Sequence, residues 1–247
     1  MIKLVTIDLW NTIIDSSGGK ERKAYRNGKL IEALAAAGRE VQEGDIDEAF
    51  LIASSAFDRR WVEDHKTMNS TEMITHICEQ MGVEMHDGTL KRIIDAFEDS
   101  IFIGKPQLLP GAKETLAELS AKYPLAIISD TALSPGTMLR KLLEEHGVLQ
   151  YFSHFSFSDE TGAAKPGKRA FDVAFEPFDA QPEEAVHIGD IERTDVAGAK
   201  NYGMHAILFR GDKNSISYKN YRGETDADAI AESWQEIPGI IMRLAGV

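Results

Sequence analysis

Three short runs along the chain share one pattern, a string of apolar, mostly β-branched residues that stops on small or acidic ones. They are KLVTID (3–8), LAIISD (125–130) and AVHIGD (185–190), and a fourth run, HAILF (205–209), is similar without the terminal acid. Runs this short, apolar on both faces and bounded by turn residues, predict central strands of a parallel sheet. Helical patterns lie between them. Pro110 and Gly111 lead into AKETLAELSAK, in which Leu116 and Leu119 stand three apart. GTMLRKLLEEHG ends on Gly147 as a helix C-cap does, and GKRAFDVAFEPF and DVAGAKNYG are amphipathic. Strand alternating with helix predicts a doubly wound α/β sheet, and ligands on such sheets bind at the carboxyl ends of the strands. The acidic strand ends fall where a site is expected.

Residues 16–105 break this alternation, with almost no strand signal and four stretches of helical periodicity. RKAYRNGKLIEALAAAG stops at Gly38, and GDIDEAFLIASSAFDRRWVEDHK begins with acids that suit a helix dipole. STEMITHICEQMG opens on a serine with Glu72 two residues later, and HDGTLKRIIDAFEDSIF makes the fourth. The expected organisation is an α/β core over 1–15 and 106–247, interrupted by a helical module over 16–105. Hinges are expected near Ser16–Gly19 and Lys105–Pro110. An insertion directly after the first strand would lie over the strand ends. The tail from Asp212 onward is polar at first and then predicts a short strand or turn and a closing helix.

Composition narrows the function classes. The chain has 247 residues, 43% of them hydrophobic and 27% charged, ample for a sizeable core. Its 27 basic and 40 acidic residues give a net charge of −13, which argues against nucleic-acid and anionic-membrane partners. A small phosphorylated molecule held by a metal ion and a few local cations stays open. Cys78 is the lone cysteine, so no intrachain disulfide forms, which fits a reducing compartment. No run approaches the ~20 apolar residues of a membrane span. The apolar stretch before Asp8 is too short for a signal-peptide core. The expectation is a cytoplasmic enzyme of open oligomeric state.

Four groups of residues carry candidate chemistry: Asp8 with Asn11 and Thr12 behind it; IISDT with Ser129; KPGKRAF with Lys165; and HIGDIERTDVAGAKNYGM with Asp190 and Asp195. In this order and spacing they resemble the four motifs of the haloacid dehalogenase (HAD) superfamily of hydrolases, and the helical insertion sits where that family's C1-type cap goes. The resemblance implies a Rossmann-like core and a Mg²⁺ ion on Asp8, Asp190, the Trp10 backbone carbonyl and Asp195, the last directly or through water. It also implies Asp8 as nucleophile, with Ser129 and Lys165 at the phosphoryl group.

Physical chemistry is consistent with those roles. A phosphate ester repels an attacking carboxylate, and a bound Mg²⁺ removes the repulsion. Mg²⁺ takes oxygen ligands and keeps several waters, so one or two carboxylates suffice. Gathered carboxylates need a counter-charge, which Lys165 and the metal supply. Ser129 and the amides at the following helix start can hold phosphoryl oxygens. Blander readings stand beside these. Asp130 borders the substrate or simply caps the next helix, and Asp195 can serve as an N-cap. Gly198 and Ala199 suit close helix–sheet packing, and His187 reads as a core residue. Arg59, Arg60 and Trp61 read as a solvated helix face, although they could project towards the substrate.

Trp10 departs from the pattern. The family's phosphatases carry a second aspartate there, which protonates the leaving oxygen, and an indole N–H is a poor donor and no base. Three readings compete. The first is a Mg²⁺-dependent phosphate-ester hydrolase that acts on good leaving groups or borrows an acid from the cap. The second is an enzyme similar to the 2-haloacid dehalogenases, which carry an aromatic residue there but work without metal and lack the GD acid. The third is a protein that has lost hydrolysis and only binds a phosphorylated ligand.

Overall fold

A computed structural model describes residues 1–84 and 86–246. β1 (Leu4–Ile7) is followed by α1 (Gly19–Ala36), α2 (Glu43–Glu63), α3 (Ser70–Gln80) and α4 (Asp87–Ile103). Helix and strand then alternate through α5 (Ala112–Ser120), β2 (Leu125–Ser129), α6 (Gly136–Glu145) and β3 (His154–Phe157). There follow α7 (Ser158–Thr161), α8 (Lys168–Phe175), β4 (Ala185–Gly189), α9 (Ala197–Tyr202) and β5 (His205–Phe209). The chain closes with α10 (Ile216–Asn220), β6 (Ala229–Ala231) and α11 (Ile237–Leu244).

Among the described residues six strands form one parallel sheet in the order β3-β2-β1-β4-β5-β6. Every residue of β1, β2 and β4 is buried, because helices cover both faces of the sheet. Val5, Ile7 and Ile127 pack with Leu116, Leu139 and Ile241 of α5, α6 and α11. On the other face, Leu4, Ile128 and Leu208 pack with Phe171, Ala174 and Ala199 of α8 and α9. The expected doubly wound architecture is present, with two strands more than the apolar runs announced. β3 reads HFSF, with His154 and Phe155 only half-buried at the sheet edge, so it lacks the continuous apolar signature. β6 is the short tail strand.

Strand order reverses between β1 and β4, where ligands of such sheets bind. The register aligns their ends: Ile7 faces Ile188 across the pair, and Asp8 N donates to Ile188 O at 2.8 Å, carrying the ladder one step past β1.

The four inserted helices share a core of their own around Leu30, Leu34, Ile46, Ile74, Ile77 and Phe97. α3 is capped by Asn69, one residue before the serine that opens its pattern. Asn69 Oδ1 accepts from Glu72 N at 2.9 Å and Glu72 Oε2 accepts from Asn69 N at 2.9 Å. The two connections to the α/β part run side by side. Leu109 N donates to Ile13 O and Asp15 N to Gln107 O, both at 2.9 Å. At the crossing only glycine fits, since a Cβ on Gly18 would lie 2.3 Å from Gly104 O.

Candidate active site

Asp8 follows β1 and Asp190 follows β4, so the switch point brings two acids together. Asp195 joins them from the turn after β4, and oxygens of all three lie within 4.8 Å of one another. Lys165, on the loop before α8, reaches into this group and is only 2% exposed. Its Nζ donates to Asp8 Oδ1 at 2.5 Å and to Asp195 Oδ1 at 2.6 Å. The turn LWNT aims Asp8. Asn11 adopts a left-handed φ of 57°, its amide donates to Ile14 O at 2.6 Å, and Thr12 Oγ1 comes back to Asp8 Oδ2 at 3.4 Å.

Burial sets the electrostatics. It pushes Asp8 up to about 7, helped by the charges of Asp195 and Asp130, while Lys165 opposes it. Asp190 is raised by burial, then by Asp8 and Asp195, and a hydrogen bond from the Ser217 hydroxyl partly offsets this. For Lys165 burial favours the neutral amine, but the charges of Asp195, Asp8 and Asp130 outweigh it and its pKa is raised. Asp195 is the exception among the acids: burial is overcome by Lys165 and His187, and its carboxyl stays below the ordinary range. Three buried carboxylates thus share one ammonium, and two of them resist ionisation for lack of positive charge.

Asp195 does not cap α9. Its Oδ2 accepts from Ile191 N at 2.9 Å within the turn, and its Oδ1 accepts from Lys165 and from His187 Nε2 at 3.2 Å. His187 is therefore more than core filling. Burial holds it neutral, its Nδ1 accepts from Thr6 Oγ1 at 2.8 Å, and its Nε2–H is left to orient Asp195. Gly198 and Ala199 do serve close packing, since a Cβ on Gly198 would meet the Phe171 ring at 2.8 Å.

Asp130 does not cap the next helix either. α6 begins at Gly136, and Asp130 instead accepts Lys165 N on Oδ1 at 2.9 Å and Trp61 Nε1 on Oδ2 at 2.8 Å. Trp61 accordingly leaves the solvated face it was expected to occupy and lines the cavity beside Phe57. Arg60 is turned away into an ion pair with Glu72 at 2.9 Å. Two amides ahead of and at the start of α6 are engaged: Thr131 N donates to Ser158 Oγ at 2.8 Å and Gly136 N to Asp159 at 3.2 Å. Ser129 stands apart from these. Its hydroxyl is buried, has no hydrogen-bond partner among the described residues, and does not line the cavity.

The cavity measures 370 Å³. Asp8, Asp130, Lys165, Asp190 and Asp195 line it, together with Trp10, Leu133 and two arginines of α1, Arg22 and Arg26. The sequence reading missed both arginines and Ser217. Single polar residues on a helix or in a polar loop carry no motif, and only the fold reveals which face looks inward.

Residues 2–203 match the haloacid dehalogenase-like hydrolase family. The glyceraldehyde 3-phosphate phosphatase of Pyrococcus furiosus is 35% identical over 224 residues, 89% of this chain and 87% of that protein. The ribulose-1,5-bisphosphate 5-phosphatase of Halopiger xanaduensis is 34% identical over 116 residues, 47% of this chain and 48% of that one. Among solved structures, the 2-haloacid dehalogenase of Pseudomonas syringae superposes with a TM-score of 0.74 at 24% identity, covering 98% of this chain and 99% of that one. A HAD phosphatase of Thermococcus onnurineus superposes at 0.66 with 22% identity, covering 97% and 98%. These structures share the fold, and the family match covers most of the chain. The protein belongs to the haloacid dehalogenase-like hydrolases.

Proposed function

We propose that the protein is a Mg²⁺-dependent phosphomonoesterase that hydrolyses a small phosphate ester through an aspartyl-phosphate on Asp8. The observation that carries this reading is the convergence of Asp8, Asp190 and Asp195 around one buried ammonium. The donor set fits the ion. It is all oxygen, it is short of positive charge, and Asp190 is steadied by Ser217. Asp8, Asp190 and the Trp10 carbonyl would hold Mg²⁺, with Asp195 directly or through water. Bound there, the ion supplies the charge neutralisation that lets an anionic carboxylate approach a phosphate.

The chain's own residues supply the rest. Asp8 attacks phosphorus, the new P–O bond forms as the ester P–O bond breaks, and the electron pair leaves with the alcohol oxygen. Lys165, held by Asp195 and through it by His187, is placed to pair with a phosphoryl oxygen. Ser129, whose buried hydroxyl does not line the cavity, carries no part of this assignment. Water then cleaves the acyl phosphate, which releases inorganic phosphate and restores the carboxylate. Trp10 provides no acid, so substrates whose leaving oxygen is already stable are favoured. Residues 16–105 act as the cap in this reading, because Arg22, Arg26, Phe57 and Trp61 close the cavity over the core acids.

The names of the two phosphatase relatives support a small phosphorylated substrate. The dehalogenase alternative draws on Trp10 and on a fold it shares, but a cluster of three acids sits poorly beside a carboxylate substrate. No helix among the described residues is long and apolar enough to cross a membrane. The test is a panel of phosphate esters and 2-haloacids assayed in Mg²⁺ and in EDTA. Ester hydrolysis that needs Mg²⁺ is expected, and metal-independent dehalogenation would replace this reading with the alternative.

A further inference from the structure

Two arginines of α1 border the cavity, and the fold employs them differently. Arg22 is committed to the chain connections: its Nη1 donates to Ser17 O at 2.6 Å and to Gly104 O, and its Nη2 donates to Ser16 O at 3.3 Å. Arg26, one turn further along, donates only through Nε, to Ser100 Oγ at 2.7 Å. Among the described residues neither of its terminal nitrogens has a hydrogen-bond acceptor, and no carboxylate lies within 4.0 Å of them.

The neighbourhood does contain an acid. Asp47 is spent on exposed Lys23 at 2.9 Å and on Asn27 at 3.3 Å, leaving Arg26 without it. Burial, and then the charge of Arg22, push Arg26 down to about 10, so it remains a cation at neutral pH. A half-buried guanidinium beside a second cation is costly unless something anionic meets it. Its free edge is a planar fork that suits carboxylate or phosphate oxygens.

The cavity therefore has two unlike regions. One gathers Asp8, Asp190, Asp195 and Lys165, and the other presents Arg26 with hydrophobic Leu133 and Phe57 nearby. We propose that Arg26 binds a second anionic group of the substrate, a carboxylate or a second phosphate, so that the protein selects phosphate esters carrying two anionic groups. This inference rests on the phosphatase reading, because it assumes that the scissile phosphate lies at Asp8. It narrows the substrate class: phosphorylated acids and bisphosphates are favoured over phosphorylated neutral alcohols or aldehydes.

Calorimetry separates the two claims when an Asp8→Asn background prevents turnover. Binding of 2-phosphoglycolate, ribulose 1,5-bisphosphate and ethyl phosphate is measured in Mg²⁺, with Arg26→Gln, Arg26→Lys or Lys20→Gln added. The first two ligands distinguish a carboxylate from a phosphate as the second group, and ethyl phosphate lacks one. At least one of the two ligands with a second anionic group is expected to bind about 10- to 100-fold tighter than ethyl phosphate, the range for hydrogen bonds to a charged group. Arg26→Gln should collapse that ratio towards one and Arg26→Lys should keep part of it, because lysine has the charge without the fork. Lys20→Gln, at an exposed lysine of the same helix, should leave the ratio as it was. A ratio near one in the Asp8→Asn protein itself overturns the inference without any Arg26 variant. So does an equal loss for all three ligands in Arg26→Gln, which would place Arg26 at the shared phosphate or in the fold. Hydrolysis of p-nitrophenyl phosphate by the native protein, assayed in parallel, reports on the phosphatase reading alone.

Discussion

Trp61 Nε1 donates to Asp130 Oδ2 at 2.8 Å, while Asp130 Oδ1 accepts the amide of Lys165 at 2.9 Å. One carboxylate thus ties α2 of the helical insertion to the loop that carries the central ammonium. The Arg193 guanidinium covers the same indole, 4.3 Å from its ring centroid. Burial raises the Asp130 pKa, and the charge of Lys165 and the two donors partly offset it. Replacing Trp61 by Phe keeps most of the packing and removes the donor. In a double-mutant cycle with Asp130→Asn, measured by urea unfolding, a coupling of about 1–3 kcal/mol is expected. Additive effects would mean that the contact contributes nothing.

Lys165 should matter for stability as well as turnover. Its removal leaves Asp8 and Asp195 buried with no cation between them, and breaking a buried ion pair from one side costs about 3–5 kcal/mol. Urea unfolding of Lys165→Met in EDTA should show a loss of this order. A midpoint within error of the native protein would contradict the buried-pair geometry.

The metal-free protein should lose stability as pH rises through the acid range. Asp8 titrates near about 7 in the fold, against about 3.9 unfolded, and Asp190 is raised as well. Between those values the native state binds more protons than the unfolded state, so unfolding becomes easier with rising pH. The penalty is complete above the folded pKa. Asp195, held low, acts in the opposite sense only at the acid end, where its contribution is lost as pH falls. Added Mg²⁺ must displace the protons, so its affinity should increase from acid to neutral pH. Thermal unfolding of native protein and Asp8→Asn in EDTA isolates the Asp8 contribution. If the native protein gains on Asp8→Asn between about pH 4 and pH 7, the sign is wrong.

How much of this was legible in the residues alone depends on the kind of signal. Asp8 and Asp190 stood out because short apolar runs and turn residues mark strand ends, and the switch point brings such ends together, whereas Lys165 came only through the resemblance of KPGKRAF to a family motif. The four inserted helices were legible from periodicity and closing glycines. What escaped was whatever depends on which way a side chain turns. Asp130 read as a substrate neighbour or a helix cap and Asp195 as a metal residue that could also cap, and only packing shows that they grip Trp61, Lys165 and Ile191. Arg26 lies in a stretch of ordinary helical residues, and its unpaired state follows from Asp47 being engaged elsewhere. β3 was missed because His154 and Ser156 interrupt its apolar run at the sheet edge.

Trp10 makes a separate prediction. Trp10 borders the cavity, and in the proposed mechanism it stands where an acid would protonate the leaving oxygen. Losing such a group costs about 10²–10⁴ in rate for poor leaving groups. Across esters of graded leaving-group pKa at saturating Mg²⁺, the native rate should fall steeply as that pKa rises. Trp10→Asp should flatten the slope, with a gain well short of 10²-fold because the surroundings are shaped for an indole. Equal slopes, with a native enzyme already fast on alkyl phosphates, would point to an acid supplied by the cap.

The central claim is that Asp8 attacks phosphorus at a site completed by a divalent ion. The most direct measurement is the initial rate of phosphate release from p-nitrophenyl phosphate, taken for native protein and Asp8→Asn in Mg²⁺ and in EDTA. Native turnover in Mg²⁺ is expected, lost on chelation and absent in a folded Asp8→Asn protein checked for deamidation. Turnover that survives EDTA, or that persists in Asp8→Asn, would contradict it.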